Sequence, residues 1–233
     1  MFEENRKKLI IWGAKGHAKV LWECLNALGQ EVVALFDNNA EVKSPYTSVP
    51  IFYGRKGFAQ WCSTVNLSKE PYYCLVAIGG SRGADRHHIL QFLWGNGLLP
   101  FTVVHPTAFC AYSVKMGKGS QVLTRAVVGV DVQIGEACIV NTAAIIDHDV
   151  TLSDGVHICP GAHVSGEIEI GTYTMIGTGA TILPKLKIGS NVIVGAGSVV
   201  TKNVENDVVV CGNPARVLRE NVQKISGDAF DGK

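Results

Sequence analysis

The sequence has little charge and almost no excess of either sign. Charged residues make up 18% of the 233, with 21 Lys plus Arg against 20 Asp plus Glu. Nucleic-acid binding needs a basic face to meet phosphates, so the balance argues against that class while leaving room for a local basic pocket. No CxxC pair occurs among the seven cysteines, and their number is odd. Scattered thiols of this kind point to a reduced, cytoplasmic protein, and no metal site is assigned. Long apolar runs are missing as well. The start, MFEENRKK, leads into the short run Leu9–Trp12, far below the roughly 20 residues of a membrane span, so neither a span nor a signal peptide is expected. A full GxGxxG fingerprint is also absent, which weakens any reading as an NAD-dependent dehydrogenase.

What is present is apolar material, 47% of the chain, in two different periods. In the first third, KLIIW (8–12) reads as a strand, and Gly13-Ala14-Lys15-Gly16-His17 follows it. Val20, Leu21, Cys24, Leu25 and Leu28 then recur at helical spacing up to Gly29. EVVALF (31–36) is a second strand with Asp37-Asn38-Asn39 at its tip. Tyr72 to Ile78 is a third, ending in Gly79-Gly80, with a helix from about Asp85 to Trp94. This is the βαβ arrangement of a small Rossmann-like α/β domain, expected over residues 1–103.

From Val104 onward every sixth residue is apolar, through Cys110, Met116, Val122 and so on to Val200, seventeen positions in all. At an apolar frequency of 47%, chance would give this about a few times in a million. Glycine often follows the marked residue, where it suits a turn needing positive φ. Small residues such as Ala126, Ala144 and Ala162 stand two places before it. A short strand every six residues, three per coil, makes a triangular parallel β-helix, expected over residues 104–233 without an inserted loop.

The hexads resemble the left-handed parallel β-helix of hexapeptide-repeat acyltransferases. With GAKGHAKV, FDNN and AIGGSRGADR, the chain resembles the bacterial sugar O- and N-acetyltransferases typified by sialic acid O-acetyltransferases and UDP-4-amino-sugar N-acetyltransferases. The resemblance covers residues 8–219. It implies acetyl-CoA as donor, a homotrimer, and a nucleotide-linked amino sugar as acceptor, in making surface glycans such as lipopolysaccharide.

Acetyl transfer needs a base that titrates near neutrality, for which histidine is the default. His148 is flanked by Asp147 and Asp149, and a carboxylate beside an imidazole raises its basicity. The resemblance makes His148 the general base with Asp149 as its partner, though the family's residue there is often the longer glutamate. His157, nine residues on, matches a histidine near the acetyl-CoA thioester, and Gly166, Thr178 and Ala196 match cofactor contacts. His163 reads as a surface residue. Cys159 reads as incidental, because direct transfer needs no acyl-enzyme. Val210 to Arg216 resembles a closing element with a short capping helix.

A glycine turn at a helix N-terminus offers free N–H groups to phosphate. The resemblance places the nucleotide-sugar there, on Lys15, Gly16, His17, Asp37, Asn38 and Gly80. Many members carry two acidic residues at this strand tip, and Asn38 departs from that. The 4-amino group of a UDP- or dTDP-linked sugar is the expected acceptor. Two alternatives stand beside it: O-acetylation of a sialic acid type sugar, and a non-catalytic nucleotide-sugar-binding protein.

Overall fold

The computed structural model describes residues 6–222 and 229–230. In the N-terminal part, β1 (Lys8–Trp12), α1 (Gly16–Ala27), β2 (Glu31–Asp37), β3 (Ile51–Tyr53), α2 (Gly54–Cys62), β4 (Tyr72–Val76), α3 (Gly83–Gly95) and β5 (Leu99–Pro100) follow in order. The five strands form one parallel sheet in the order β3-β2-β1-β4-β5. β1 is central, and Leu9, Ile10 and Ile11 are fully buried, which is why its sequence runs apolar without alternation. On one side, Trp12 stacks on Phe36 with centroids 5.3 Å apart. β3 and α2 escaped the sequence pattern. The strand has only three residues at a sheet edge, and α2 buries just Gly57, Phe58 and Trp61.

From Val103 to Val200 the chain winds as seventeen two-residue strands, each ending on a marked hexad position, in an unbroken frame. Each pairs in parallel with the strand eighteen residues away, as Val127↔Ile145 and Ile145↔His163. The strands fall into three sheets, the faces of a prism. Face one carries Val122, Val140 and Ile158, face two Val128, Ile146 and Val164, and face three Ile134, Leu152 and Ile170. All nine point inward and are buried. Only every second residue of so short a strand can point in, so the partner of each marked residue faces outward.

The glycines after the marked residues serve a purpose other than the expected one. The left-handed turn falls two residues later, at Ala137 (φ 52°), Ala143 (φ 54°), Asp149 (φ 55°) and Gly161 (φ 65°), among others. Gly135 instead lies under the next coil, where a Cβ would come within 2.7 Å of Asp154 N and 2.8 Å of Ser153 C. Close stacking, and not backbone φ, excludes a side chain there.

The closing element also differs from the expected capping helix. Val208–Gly212 and Ala215–Glu220 form an antiparallel hairpin, the first strand of which pairs with Ile193–Val194 on face one. Three consecutive valines favour a strand over a helix. Residues 223–228 and the leading MFEEN lie outside the described residues.

The two glycine classes should respond differently to substitution. Gly135→Ala forces backbone apart and should cost about 3 kcal/mol. Gly161 has nothing within 4 Å, and Asn tolerates its φ, so Gly161→Asn should cost under about 1 kcal/mol. Urea unfolding of the two variants checks the order; equal losses would refute the stacking explanation.

Candidate active site

His148 stands on the turn that leads from face two to face three, just after the strand Ile145–Ile146. Asp149 takes the left-handed position of that turn, which bends its side chain back to the ring. The two meet at 2.8 Å, His148 Nδ1 donating to Asp149 Oδ2. That bond fixes the tautomer and leaves Nε2 with a lone pair. The Asp149 hydrogen bond raises the His148 pKa above its ordinary value; desolvation opposes it in part, and the Asp147 charge adds to the rise. About half of each side chain is exposed.

Eighteen residues on, Gly166 lies against the imidazole. A Cβ there would come within 2.6 Å of His148 Nε2, so glycine forms the seat of the ring. Thr178 and Ala196 are exposed and stacked one coil apart, Gly197 N donating to Thr178 O. Their turns lead from face one to face two. Within one chain they therefore border the opposite edge of face two from His148.

The sugar-nucleotide candidates gather elsewhere. Lys15, His17, Asp37 and Asn38 line a pocket of about 370 Å³ together with Trp12 and Arg82, which the sequence reading did not include. Gly16 opens α1 beside it, and Gly80 follows the lining Gly79. Asp37 holds the glycine loop, accepting from Ala14 N at 2.9 Å and Asn39 N at 3.0 Å. Asn38 Oδ1 accepts from the Trp12 indole at 3.0 Å.

Residues 8–91 match the PglD N-terminal domain, and residues 167–202 match the bacterial transferase hexapeptide (six repeats). The acetyltransferase domain of PglB from Neisseria gonorrhoeae, solved with acetyl coenzyme A, is 32% identical over 92% of this chain and 100% of that one, with TM-score 0.80. The chain belongs to the hexapeptide-repeat sugar N-acetyltransferases. PerB from Caulobacter crescentus, solved with CoA and GDP-perosamine, is 29% identical over 90% of this chain and 96% of that one, at TM-score 0.81. WeeI from Acinetobacter baumannii AYE is 26% identical over 91% and 100%, at 0.78. Comparison with curated protein sequences gives no match. The β-helix is of the left-handed kind these acetyltransferases share.

In this acetyltransferase the N-terminal domain covers face one through polar residues that the sequence reading passed over. Arg86 of α3 is fully buried and donates to Ile78 O (2.7 Å), Ala137 O (2.6 Å) and Gly155 O (2.8 Å), tying the pocket loop to two coils. Burial pushes its pKa down to about 10. Buried Gln121 accepts from His17 Nε2 at 2.7 Å and donates to Val76 O at 2.9 Å. Gln121 occupies an outward hexad slot, which reads as solvent-facing until a second domain covers it.

His157 lies in this junction too. Only 5% exposed, it donates from Nδ1 to Gly80 O at 3.1 Å and accepts at Nε2 from Asn141 at 3.1 Å. Both ring nitrogens are thus engaged within the chain. Burial, reinforced by the nearby Arg86 charge, pushes its pKa down to about 3. His163 is exposed on face two. Burial pushes the Cys159 thiol up to about 11, which disfavours the thiolate a nucleophile would need. His148 sits on the corner of the prism between faces two and three, whereas the N-terminal domain that carries the pocket covers face one.

Neutral His157 makes a pH prediction. Unfolded, it protonates near pH 6.5; folded, it resists down to about 3. The unfolded state therefore binds the extra proton between those values, and stability falls with pH across that window. His157→Gln should remove this contribution, so the wild type's advantage should shrink by about 2 kcal/mol between pH 7.5 and pH 5. Denaturant titrations at both pH values measure it. A constant difference would mean that His157 charges freely in the fold.

Proposed function

We propose that this enzyme transfers the acetyl group of acetyl-CoA to the amine of a nucleotide-linked amino sugar, with His148 as general base and Asp149 as its partner. The observation that carries the reading is the His148–Asp149 pair at 2.8 Å, which leaves Nε2 free on the Gly166 seat. Nε2 takes a proton as the amine nitrogen bonds to the thioester carbonyl carbon. The C–S bond then breaks, and the proton passes to the departing thiolate. A histidine is worth about 10²–10⁴ in rate in this role. The acceptor is taken to be a 4-amino sugar on UDP, dTDP or GDP, its phosphates lying near Lys15 and the start of α1. GDP-perosamine in PerB supports that class of acceptor. Activated sugars and acetyl-CoA place the work in the cytoplasm, for surface glycans such as lipopolysaccharide. Among the described residues no helix is long and apolar enough to cross a membrane.

The working unit of this reading is a homotrimer. Face two turns apolar side chains outward, with Phe109 61%, Val127 37% and Ile145 39% exposed, and Val130 beside them at 54%. An exposed apolar run of three successive strands suits a second copy of the chain. The same face has His148 at one edge and Thr178 and Ala196 at the other. A neighbour's edge set against His148 completes a CoA groove that no single prism provides. His157 then acts at a distance, by holding the pocket loop through Gly80.

CoA release with UDP-, dTDP- and GDP-4-amino sugars tests the substrate class. Turnover with none of them, together with turnover of sialic acid, would reverse the order of acceptors. His148→Ala should lower kcat about 10²–10⁴-fold. Asp149→Asn removes the contact that raises the His148 pKa, so the acidic limb of the pH–rate profile should move to lower pH. An unmoved limb would uncouple the pair. For the trimer, mixing His148→Ala subunits with Thr178→Trp subunits should restore activity by leaving one intact junction in some assemblies. No recovery would place the whole site within one chain.

A further inference from the structure

Ala229 and Phe230 lie on the N-terminal domain, away from the β-helix hairpin that precedes them. Ala229 is 1% exposed and Phe230 9%. The Phe230 ring meets Trp12 edge-on at 5.2 Å and Phe92 at 4.7 Å, and the Arg55 guanidinium sits 4.3 Å from its centroid. The Ala229 carbonyl accepts from Asn38 Nδ2 at 2.7 Å, and Asn38 Oδ1 accepts from Trp12 Nε1 at 3.0 Å. Trp12 and Asn38 both line the 370 Å³ pocket. Two of its lining residues are therefore held by contacts from Ala229 and Phe230.

We infer that Phe230 is a positioning residue for the nucleotide: with Ala229 it fixes the Asn38 amide and the Trp12 ring that form one side of the pocket. This rests on the nucleotide-sugar reading above. The buried phenyl ring holds the tail in place, and the tail carbonyl then chooses one rotamer of Asn38, with its nitrogen toward Ala229 and its oxygen toward the indole. An amide is required for that orientation. It must donate to one neighbour and accept from the other, whereas a carboxylate would set an oxygen against the Ala229 carbonyl. The departure from a second acidic residue at the β2 tip thus has a partner 191 residues away. A wall already fixed binds without the cost of ordering it.

Calorimetric titration with UDP, dTDP and GDP, and separately with CoA, tests this on the full chain and on four variants. For whichever nucleotide the wild type binds, Phe230→Ala and truncation before Ala229 should each raise Kd about tenfold, the worth of an ordered side chain. CoA affinity should stay constant, which shows that the variants are folded. Phe230→Tyr keeps the ring and should bind like wild type. Asn38→Asp should weaken the nucleotide similarly, and joining it to the truncation should add nothing, since both break one contact. Unchanged nucleotide Kd in the truncated protein, or fully additive losses, would overturn the inference while leaving the nucleotide reading intact. A wild type that binds CoA but none of the three nucleotides would overturn both.

Discussion

Each residue of the β-helix must lie directly on the one eighteen positions away, and the rest of the molecule is arranged around that constraint. Strands pair at a spacing of about 4.8 Å, so a side chain on the coil surface is bounded by the residue one coil on. His148 can rest flat because position 166 carries no side chain, and Asp149 can reach back to Nδ1 because its backbone takes the left-handed turn. The His148–Asp149 pair is thus a by-product of coil geometry. Two ordinary structural positions, a corner and its neighbour one coil on, are occupied by a histidine and a glycine.

The same regularity leaves three flat faces with different fates. Face one is covered by the N-terminal domain, and its outward slots hold Gln121, Ile139 and His157, all buried. Face two is apolar and exposed along its first three strands, at Phe109, Val127 and Ile145, and carries His163 and Thr181 beyond them. Face three is polar, with Thr151, Glu169 and Lys187 outward, the last two paired at 3.0 Å. At the covered face the polar groups are matched one by one: Arg86 with carbonyls of both domains, Gln121 with His17 and Val76. A buried guanidinium without such partners would be strongly unfavourable, so the relative placement of the domains is specified by few alternatives.

Much of the fold was legible because it is periodic. Seventeen inward positions and the strand–glycine–helix order recur at intervals that need no knowledge of contacts. Where one residue type serves two purposes, the pattern was ambiguous. Glycine after the marked residue read as a turn signal, and only the distance from Gly135 to Asp154 shows it to be a stacking requirement. The hairpin at Val208–Glu220 was missed in favour of a helix, although its valines favour a strand. Arg86 had no signal at all. An arginine next to Asp85 in a helix looks like a solvated pair until the helix is packed on a second domain.

By itself the sequence determined the local geometry: hexads, corners, the His148–Asp149 adjacency and the glycine loop before α1. Those depend on neighbours in the chain, on backbone sterics and on a repeating inward side chain. Tertiary structure alone decided which titratable groups stay neutral, which polar residues join the domains, and that Phe230 reaches Trp12 and Asn38. His157 and His148 share a residue type and a nine-residue spacing, yet one is pushed down to about 3 and the other is raised. The physical reason is that the His148 shift comes from its chain neighbours, the Asp149 hydrogen bond first and the Asp147 charge after it, whereas that of His157 comes from desolvation and the Arg86 charge, which are set by what packs against the residue.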